Sequence, residues 1–167
     1  MFQFISVLII SALIAADRVT KAIAVSRLSD GTTHEFLGGL FRFRYVENTG
    51  AAFSIFSDST AVLTVFTVLV IILCLFVLMA RKNKSLFVSA CLIMIVAGGI
   101  GNVIDRIMNG YVVDFIEPLF MKFAVFNVAD CFITVSAVLL ICYEIYALIQ
   151  EKKQAKDGKA ENDDRKD

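Results

Sequence analysis

Residues 60–80 read TAVLTVFTVLVIILCLFVLMA, which is twenty-one positions without a charged side chain. A bilayer core of about 30 Å is crossed by roughly twenty apolar residues in helical form, so this stretch is long enough to span a membrane. Residues 85–104 form a second uncharged stretch, of twenty positions. We therefore predict two membrane-spanning helices in the middle of the chain.

Two further apolar stretches flank this pair. Residues 127–149 carry only Asp130 near their start and Glu144 near their end. The N-terminal stretch reaches membrane length if its helix extends over residues 2–25. It lacks the basic start that a cleavable signal peptide needs. We therefore predict four spans, of which the N-terminal stretch is the first.

The composition agrees with a membrane protein. Of the 167 residues, 58% are hydrophobic and 19% are charged, whereas soluble domains are about 45–50% apolar and about 25% charged. Twelve of the thirty-two charges lie in residues 151–167. We predict an all-α integral membrane protein, with four transmembrane helices and a small extracytoplasmic β-sheet in one domain over residues 1–150. Residues 151–167 are predicted to form a charged, disordered cytoplasmic tail.

Basic residues predict the orientation, because loops rich in lysine and arginine stay in the cytoplasm. One basic group, Arg81, Lys82 and Lys84, lies between the second and third spans, and another begins the C-terminal tail. We therefore predict both termini in the cytoplasm. The long connections, residues 26–59 and 105–126, then lie on the outer face of the membrane.

The first long connection contains a predicted strand within residues 36–48. Apolar and polar side chains alternate there at period two, which is typical of a strand with one buried face. Phe41, Phe43 and Tyr45 share one face, and arginines occupy the other. The arginines either approach lipid phosphates or belong to an ordinary amphipathic strand, and the two interpretations are compatible.

Several kinds of chemistry are not supported by the sequence. The single histidine, His34, cannot build a histidine-based metal site and is predicted to be a surface loop residue. The four cysteines are scattered through the spans without CxxC spacing, so neither a metal site nor disulfides are expected. No phosphate-binding loop, serine nucleophile elbow or basic nucleic-acid surface is recognisable.

The remaining polar residues concentrate at the predicted outer ends of the spans, where ionisable groups are costly. Asp17 and Lys21 are four positions apart on one helix face, which suits either an ion pair or direct substrate contact. Asn102 and Arg106 repeat this spacing in the third span. Arg106 either anchors the helix to headgroups or serves the site, while the amide of Asn102 needs buried partners.

Two aspartates are the strongest candidates for catalysis. Asp114 lies among β-branched and aromatic residues, although aspartate is disfavoured in strands. Asp130 follows Asn127, which is predicted to cap the fourth helix and thereby offers Asp130 a structural role as well. At the same depth, the two acids are expected to form a dyad in which one is ionised and the other protonated. We favour an ionised Asp130 and a protonated Asp114, and the reverse assignment stays open.

Five motifs carry a family resemblance. They are DRVTK at 17–21, NTGAAF at 48–53, GNVIDR at 101–106, VVDF at 112–115 and FNVAD at 126–130. In this order and in a membrane context, they resemble the prolipoprotein signal peptidases, also called signal peptidase II, which are aspartyl proteases of the bacterial cytoplasmic membrane. The resemblance extends over nearly the whole chain, to about Ile149.

The resemblance implies that Asp114 and Asp130 are the catalytic pair. Small residues at Gly50 and Ala51 fit a place where backbone must pass closely. The first motif usually reads Asp-Gln in this family, and Arg18 replaces the glutamine here, which puts any role of this position in doubt. The residues implied to line or brace the site are Asp17, Lys21, Asn48, Asn102, Arg106 and Asn127.

The resemblance also implies a substrate. It is a prolipoprotein whose cysteine carries a diacylglyceryl group, and the chain is cut just before that cysteine. Membrane lipids are expected partners, and neither metal nor organic cofactor is required. Phe41 and Phe43, or the connection around Tyr111, are candidates to clamp the substrate, and we expect a monomer.

Two other functions compete with a protease. A small proton-coupled transporter would also place acids and an arginine in its spans, but it predicts polar residues throughout the membrane depth. A non-enzymatic scaffold predicts that Asp114 and Asp130 tolerate substitution. The concentration of polar residues at one interface favours the protease.

Overall fold

The structure, a computed structural model, describes residues 1–50, 60–80 and 85–164, with side chains through residue 154. Within these ranges, four helices are each long and apolar enough to cross a membrane, and three strands form one antiparallel sheet. This confirms the predicted fold class. The elements follow in the order α1 (Phe2–Leu28), β1 (His34–Phe36), β2 (Phe41–Asn48), α2 (Thr60–Ala80), α3 (Leu86–Asn109), β3 (Val112–Pro118) and α4 (Val128–Asp164).

Helix α3 is the centre of the bundle. Of its membrane-length apolar stretch, 61% is buried inside the protein, compared with 11% or less for the other three helices. It packs against α1, α2 and α4, and Gly98, Gly99 and Gly101 lie at the close approaches. Small residues at such positions allow neighbouring helices to come close together. The outward sides of α1, α2 and α4 expose large apolar side chains suited to lipid.

The sheet lies against one end of the bundle, which we call the sheet end. Its strand order is β1-β2-β3, and a bulge interrupts the β2–β3 register between Phe43 and Val46. Ala24 and Leu28 of α1 pack against Val113 and Phe115 of β3. The apolar face of the sheet is therefore fixed to the end of α1.

The arginines of β2 have protein partners. Arg42 lies opposite Glu117 in the register, and its guanidinium group donates to the Glu117 carboxylate at 2.8 Å. Arg44 approaches the same carboxylate at 3.3 Å. These ion pairs favour the ordinary amphipathic strand over direct contact with lipid phosphates. His34 is an exposed residue of β1 and not the predicted loop residue, because it pairs with Phe43.

Helix α4 differs most from its predicted bounds. The structure continues it to Asp164, whereas the sequence predicts a disordered tail from residue 151. The added stretch begins EKKQAK, and glutamate, lysine, glutamine and alanine are all good helix formers, so the helix persists after the apolar pattern ends. Helix α3 also runs past residue 104, to Asn109. It is capped by Gly110, whose φ of 84° suits glycine and whose N–H donates to the Arg106 carbonyl.

Candidate active site

The start of α4 is built by a reciprocal cap. The Asn127 side-chain oxygen accepts the backbone N–H of Asp130 at 3.0 Å, and the Asp130 carboxylate accepts the backbone N–H of Asn127 at 3.1 Å. This pattern satisfies two N–H groups that the helix leaves unpaired, and it confirms Asn127 as the predicted cap. Backbone bonds between Phe126 and Ile116 draw this turn alongside β3.

Asp114 is buried in β3, with 1% of its surface exposed. One carboxylate oxygen accepts the Asn48 amide at 2.7 Å, and the other accepts the Asn127 amide at 2.6 Å. Two amide donors thus compensate for removing this carboxyl group from water. They explain how an aspartate is accommodated in the middle of an otherwise apolar strand.

Amide side chains connect Asp114 to Asp130. The second Asp130 oxygen accepts the Asn102 amide at 2.7 Å. Asn127 also donates to the Asn102 oxygen at 3.2 Å. Because Asn127 bonds to the Asp114 side chain and caps Asp130, this single residue touches both aspartates. The two predicted acids therefore meet at the sheet end of the bundle.

The electrostatic surroundings differ from those of an exposed aspartate. Burial raises the pKa of Asp114 from 3.8 to about 7, and the nearby charge of Asp130 adds to the increase. The Arg106 guanidinium interacts electrostatically with both aspartates. A carboxyl group with such a pKa can carry a proton near neutral pH, which is the property that a general acid needs.

Beside the aspartates lies a group of charged side chains that hold one another. The Lys21 ammonium is 2.9 Å from the Asp17 carboxylate and 3.0 Å from that of Asp105. It also donates to the Asn102 side-chain oxygen at 2.9 Å. Of the two interpretations left open for Asp17 and Lys21, the structure contains the ion pair, and Lys21 connects it to the amides around Asp130.

Two members of this group were missed by sequence reasoning. Asp105 is fully buried and forms an ion pair with Arg18, whose role at this position was in doubt. Asp105 lies three residues after Asn102, which places both on neighbouring parts of one helix face. That spacing is the signal that identifies Asp105. The partnership with Arg18 has no local signal, because the two residues belong to different helices.

Two glycines near the site, Gly50 and Gly101, have distinct surroundings. The Gly50 N–H donates to the Asn48 side-chain oxygen at 3.0 Å, which helps to orient the amide that holds Asp114. Ala51 lies outside the described residues. At Gly101, an added Cβ would lie 2.5 Å from an Asp17 oxygen, so only glycine lets this carboxylate seat against α3.

Taken together, the sheet end offers chemistry based on two carboxyl groups. Asp114 and Asp130 share Asn127 as a hydrogen-bond partner, and Arg106 supplies nearby positive charge. Among the side chains of residues 1–50, 60–80 and 85–154, histidine, cysteine and acidic residues form no group of three suited to a metal ion. Paired carboxyl groups in different environments can act as general base and general acid.

Comparison with known proteins identifies the family. The family model described as signal peptidase (SPase) II matches residues 9–146. The chain belongs to the signal peptidase II family. A lipoprotein signal peptidase of Enterococcus faecalis is 40% identical over 152 residues, which are 91% of this chain and 92% of the relative. One from Streptococcus thermophilus is 44% identical over 132 residues, which are 79% and 86% of the two chains.

Solved structures of bacterial membrane enzymes share the fold. One has a TM-score of 0.77 and 28% identity, and the alignment includes 92% of this chain and 93% of the other. A second has a TM-score of 0.76 and 30% identity, with 86% and 94% of the chains aligned. This member of the signal peptidase II family is therefore a protease and a multi-pass bacterial membrane protein, and not a transporter or a non-enzymatic scaffold.

Proposed function

We propose that this signal peptidase II removes the signal peptide from bacterial prolipoproteins and cuts just before a cysteine that carries a diacylglyceryl group. The relatives in Enterococcus and Streptococcus are named lipoprotein signal peptidases, which supports this substrate class. The observation that carries the mechanism is the pair of aspartates tied together by Asn127. Asp114 and Asp130 are the catalytic residues in this proposal.

The two aspartates take different roles. Asp130 accepts the Asn102 amide and a backbone N–H at the start of α4, and helix N-termini favour negative charge, so it is the ionised general base. Asp114, with its pKa raised to about 7 by burial, is the protonated general acid. Arg106 stabilises the single negative charge that the two aspartates share.

The reaction proceeds through a tetrahedral intermediate. Asp130 takes a proton from a water molecule as the water oxygen bonds to the scissile carbonyl carbon, and Asp114 gives its proton to the carbonyl oxygen. Asp114 then regains a proton from the intermediate as the carbon–nitrogen bond breaks, and Asp130 returns its proton to the leaving nitrogen. The products are the signal peptide with a free carboxyl group and a lipidated cysteine with a free amine.

The membrane arrangement follows from the distribution of charge. We place both termini in the cytoplasm and the sheet end at the outer face, on the basis of the basic residues in the connection at 81–84 and in the tail. Residues 81–84 lie outside the described residues. A lipid-bearing substrate reaches the sheet end from within the bilayer, so membrane lipids surround the reaction, and the enzyme acts as a monomer without a cofactor.

The aromatic residues of the sheet are proposed to clamp the substrate. Phe43 stacks on Phe36 with ring centroids 4.2 Å apart, and Phe41 contacts Phe120 edge to face. The rings therefore support one another as a rigid surface on the sheet that carries Asp114. Replacing Phe41 and Phe43 by leucine should raise KM for a lipidated peptide more than it lowers kcat. An unchanged KM would exclude the clamp.

The dyad is tested with purified variants and a lipidated prolipoprotein. Asp114→Asn and Asp130→Asn should each lower cleavage by about 10²–10⁴-fold, because each removes a proton-transfer group. Asp30→Asn is the matched control, since Asp30 bonds only within its own turn, to the Thr32 N–H, among the contacts of the described residues. Thermal unfolding checks that all three variants are folded. Cleavage that persists in either dyad variant contradicts the mechanism.

A further inference from the structure

Two buried acids outside the dyad bind the backbone beside it. The Asp17 carboxylate accepts the backbone N–H of Ala129 at 3.1 Å, and Ala129 immediately precedes Asp130. The Asp105 carboxylate accepts the backbone N–H of Val113 at 3.2 Å, and Val113 immediately precedes Asp114. Each proposed catalytic residue thus follows a residue whose N–H is held by a carboxylate from another part of the fold.

Lys21 holds these two acids in one place. Its ammonium nitrogen has three oxygen neighbours at 2.9 to 3.0 Å, in Asp17, Asp105 and Asn102, and it donates a hydrogen bond to the Asn102 oxygen. Only 2% of the lysine is exposed. Asp17 and Lys21 are on α1, and Asp105 and Asn102 are on α3, so a single ammonium group fixes the relation between both helices and the backbone beside the dyad.

Arg18 completes the balance of charge. Asp17 and Asp105 contribute two negative charges, and Lys21 and Arg18 contribute two positive charges. The Arg18 side chain is 35% exposed and bonds the Asp105 oxygen that faces away from the Val113 N–H. Buried carboxylates are costly unless they are paired and hydrogen-bonded, and Asp105 is provided with an arginine, a lysine and a backbone donor.

The geometry points to a positioning function for these four residues, which we call the charge cluster: Asp17, Arg18, Lys21 and Asp105. The cluster holds β3 and the first turn of α4 at the spacing that lets Asp114 and Asp130 act on one water molecule. Charge-assisted hydrogen bonds are stronger and more directional than neutral ones. This inference rests on the proposed function, because it assigns a geometric purpose to residues beside the dyad.

Substitution of Arg18 should disturb the charge cluster least. Arg18→Gln removes one positive charge and leaves Asp105 paired with Lys21, so the protein should fold. We expect kcat to fall several-fold, with KM nearly unchanged, because loss of position at a reacting group lowers the chemical step. Arg18→Lys should restore most of kcat. Arg27→Gln, a change of the same kind at an exposed position of α1, is the control and should leave kcat unchanged.

Arg18→Gln should also change the pH dependence of kcat. Asp114 interacts electrostatically with Lys21 from α1, Arg106 from α3 and Asp130 from α4, and the neutral amides of Asn48 and Asn127 donate to it. Arg18→Gln leaves this environment with one more net negative charge. The alkaline limb of kcat should therefore shift to higher pH, because protonation of Asp114 becomes easier. Arg18→Lys retains the positive charge and should leave this limb at its wild-type position.

Substitution of Asp105 should lower kcat more than substitution of Arg18. Asp105→Ala removes the acceptor of the Val113 N–H and should lower kcat by roughly tenfold or more. Asp105→Asn keeps an oxygen for that N–H and should retain more activity. All rates are expressed per folded molecule, measured from the unfolding transition, so that lost stability is separated from lost position.

The outcomes are distinct for the two proposals. Asp114→Asn is measured alongside, and if it still cleaves the lipidated substrate, the proposed dyad is wrong. If Asp114→Asn is inactive while Arg18→Gln and Asp105→Ala keep the wild-type kcat and alkaline limb, the dyad stands and the charge cluster has no positioning function. Lowered kcat with rescue by Arg18→Lys supports the cluster.

Discussion

The two ends of the helix bundle are built on different principles. At the sheet end, buried asparagines, aspartates and Lys21 each have named partners between 2.6 and 3.2 Å. At the opposite end, which we call the apolar end, Leu78, Val88, Leu92 and Ile93 pack with side chains of α1, α2 and α4. Apolar packing is tolerant of exchange, whereas hydrogen bonds fix direction. The sheet end therefore defines the geometry, and the apolar end holds the helices together.

Among the substitutions that compare the two ends, replacement of Asn127 at the sheet end should lower cleavage most. Asn127→Ala removes a donor to Asp114 and the cap of α4, and misplacement of both aspartates should lower cleavage by roughly 10²-fold. Asn109→Ala, at an exposed position at the end of α3, is the control and should cleave normally. Initial rates with a lipidated prolipoprotein measure the difference. Activity of Asn127→Ala near that of the control would contradict the shared-amide arrangement.

The pH dependence of kcat should reflect the protonation of Asp114 at the sheet end. The mechanism requires a protonated Asp114, and burial raises its pKa to about 7. Because the protonated fraction falls as pH rises through this value, kcat should decrease by roughly tenfold per unit at higher pH. A rate profile between pH 5 and 9 in detergent or bicelles measures it. A kcat that stays constant up to pH 9 would refute Asp114 as the acid.

Two neighbouring glycines of α3 differ in the rigidity of the atoms that surround them. At Gly98, an added Cβ would lie 2.5 Å from the Ala129 backbone oxygen, while at Gly99 it would meet the flexible Ile71 side chain at 2.9 Å. Gly98→Ala should therefore destabilise the protein by ~1–3 kcal/mol and reduce cleavage by displacing α4. Gly99→Ala should cost less, since Ile71 can change its rotamer. Thermal unfolding and cleavage rates should be measured in parallel for both variants. An equal effect of the two substitutions would contradict this prediction.

The smallest effect on catalysis is expected at the apolar end. Leu92→Ala leaves a cavity in the cluster around α3 and should lower stability by about 2 kcal/mol. Cleavage per folded molecule should remain close to wild type, because no contact of Asp114 or Asp130 is altered. A large loss of kcat in this variant would show that the two ends are coupled.

Much of the fold was predictable because it depends on local patterns. The uncharged run at 60–80 coincides with α2, and alternation within residues 36–48 identified β2. The cap formed by Asn127 and Asp130 also involves neighbours in the chain. The sequence prediction missed the helical continuation of α4 because a segment rich in charged residues is compatible both with a helix and with disorder.

The contacts of the site were harder to predict, because they join distant residues. Arg18 and Asp105 are 87 positions apart, so nothing in the sequence near Arg18 reports its partner. The pairing of Arg42 with Glu117 depends on the β2–β3 register, which the bulge shifts. Sequence motifs selected the residue types at the sheet end, but only the three-dimensional packing shows which oxygen each donor reaches.

The backbone anchors have a consequence for the catalytic cycle. Asp17 and Asp105 bind the N–H groups of Ala129 and Val113, and a peptide N–H does not titrate under physiological conditions. The donors of these two contacts therefore keep their protons whichever aspartate of the dyad holds the shared one. The hydrogen bonds that hold the backbone are thus made by other groups than those that exchange protons, so a turnover does not require the strand or the helix to release its anchor.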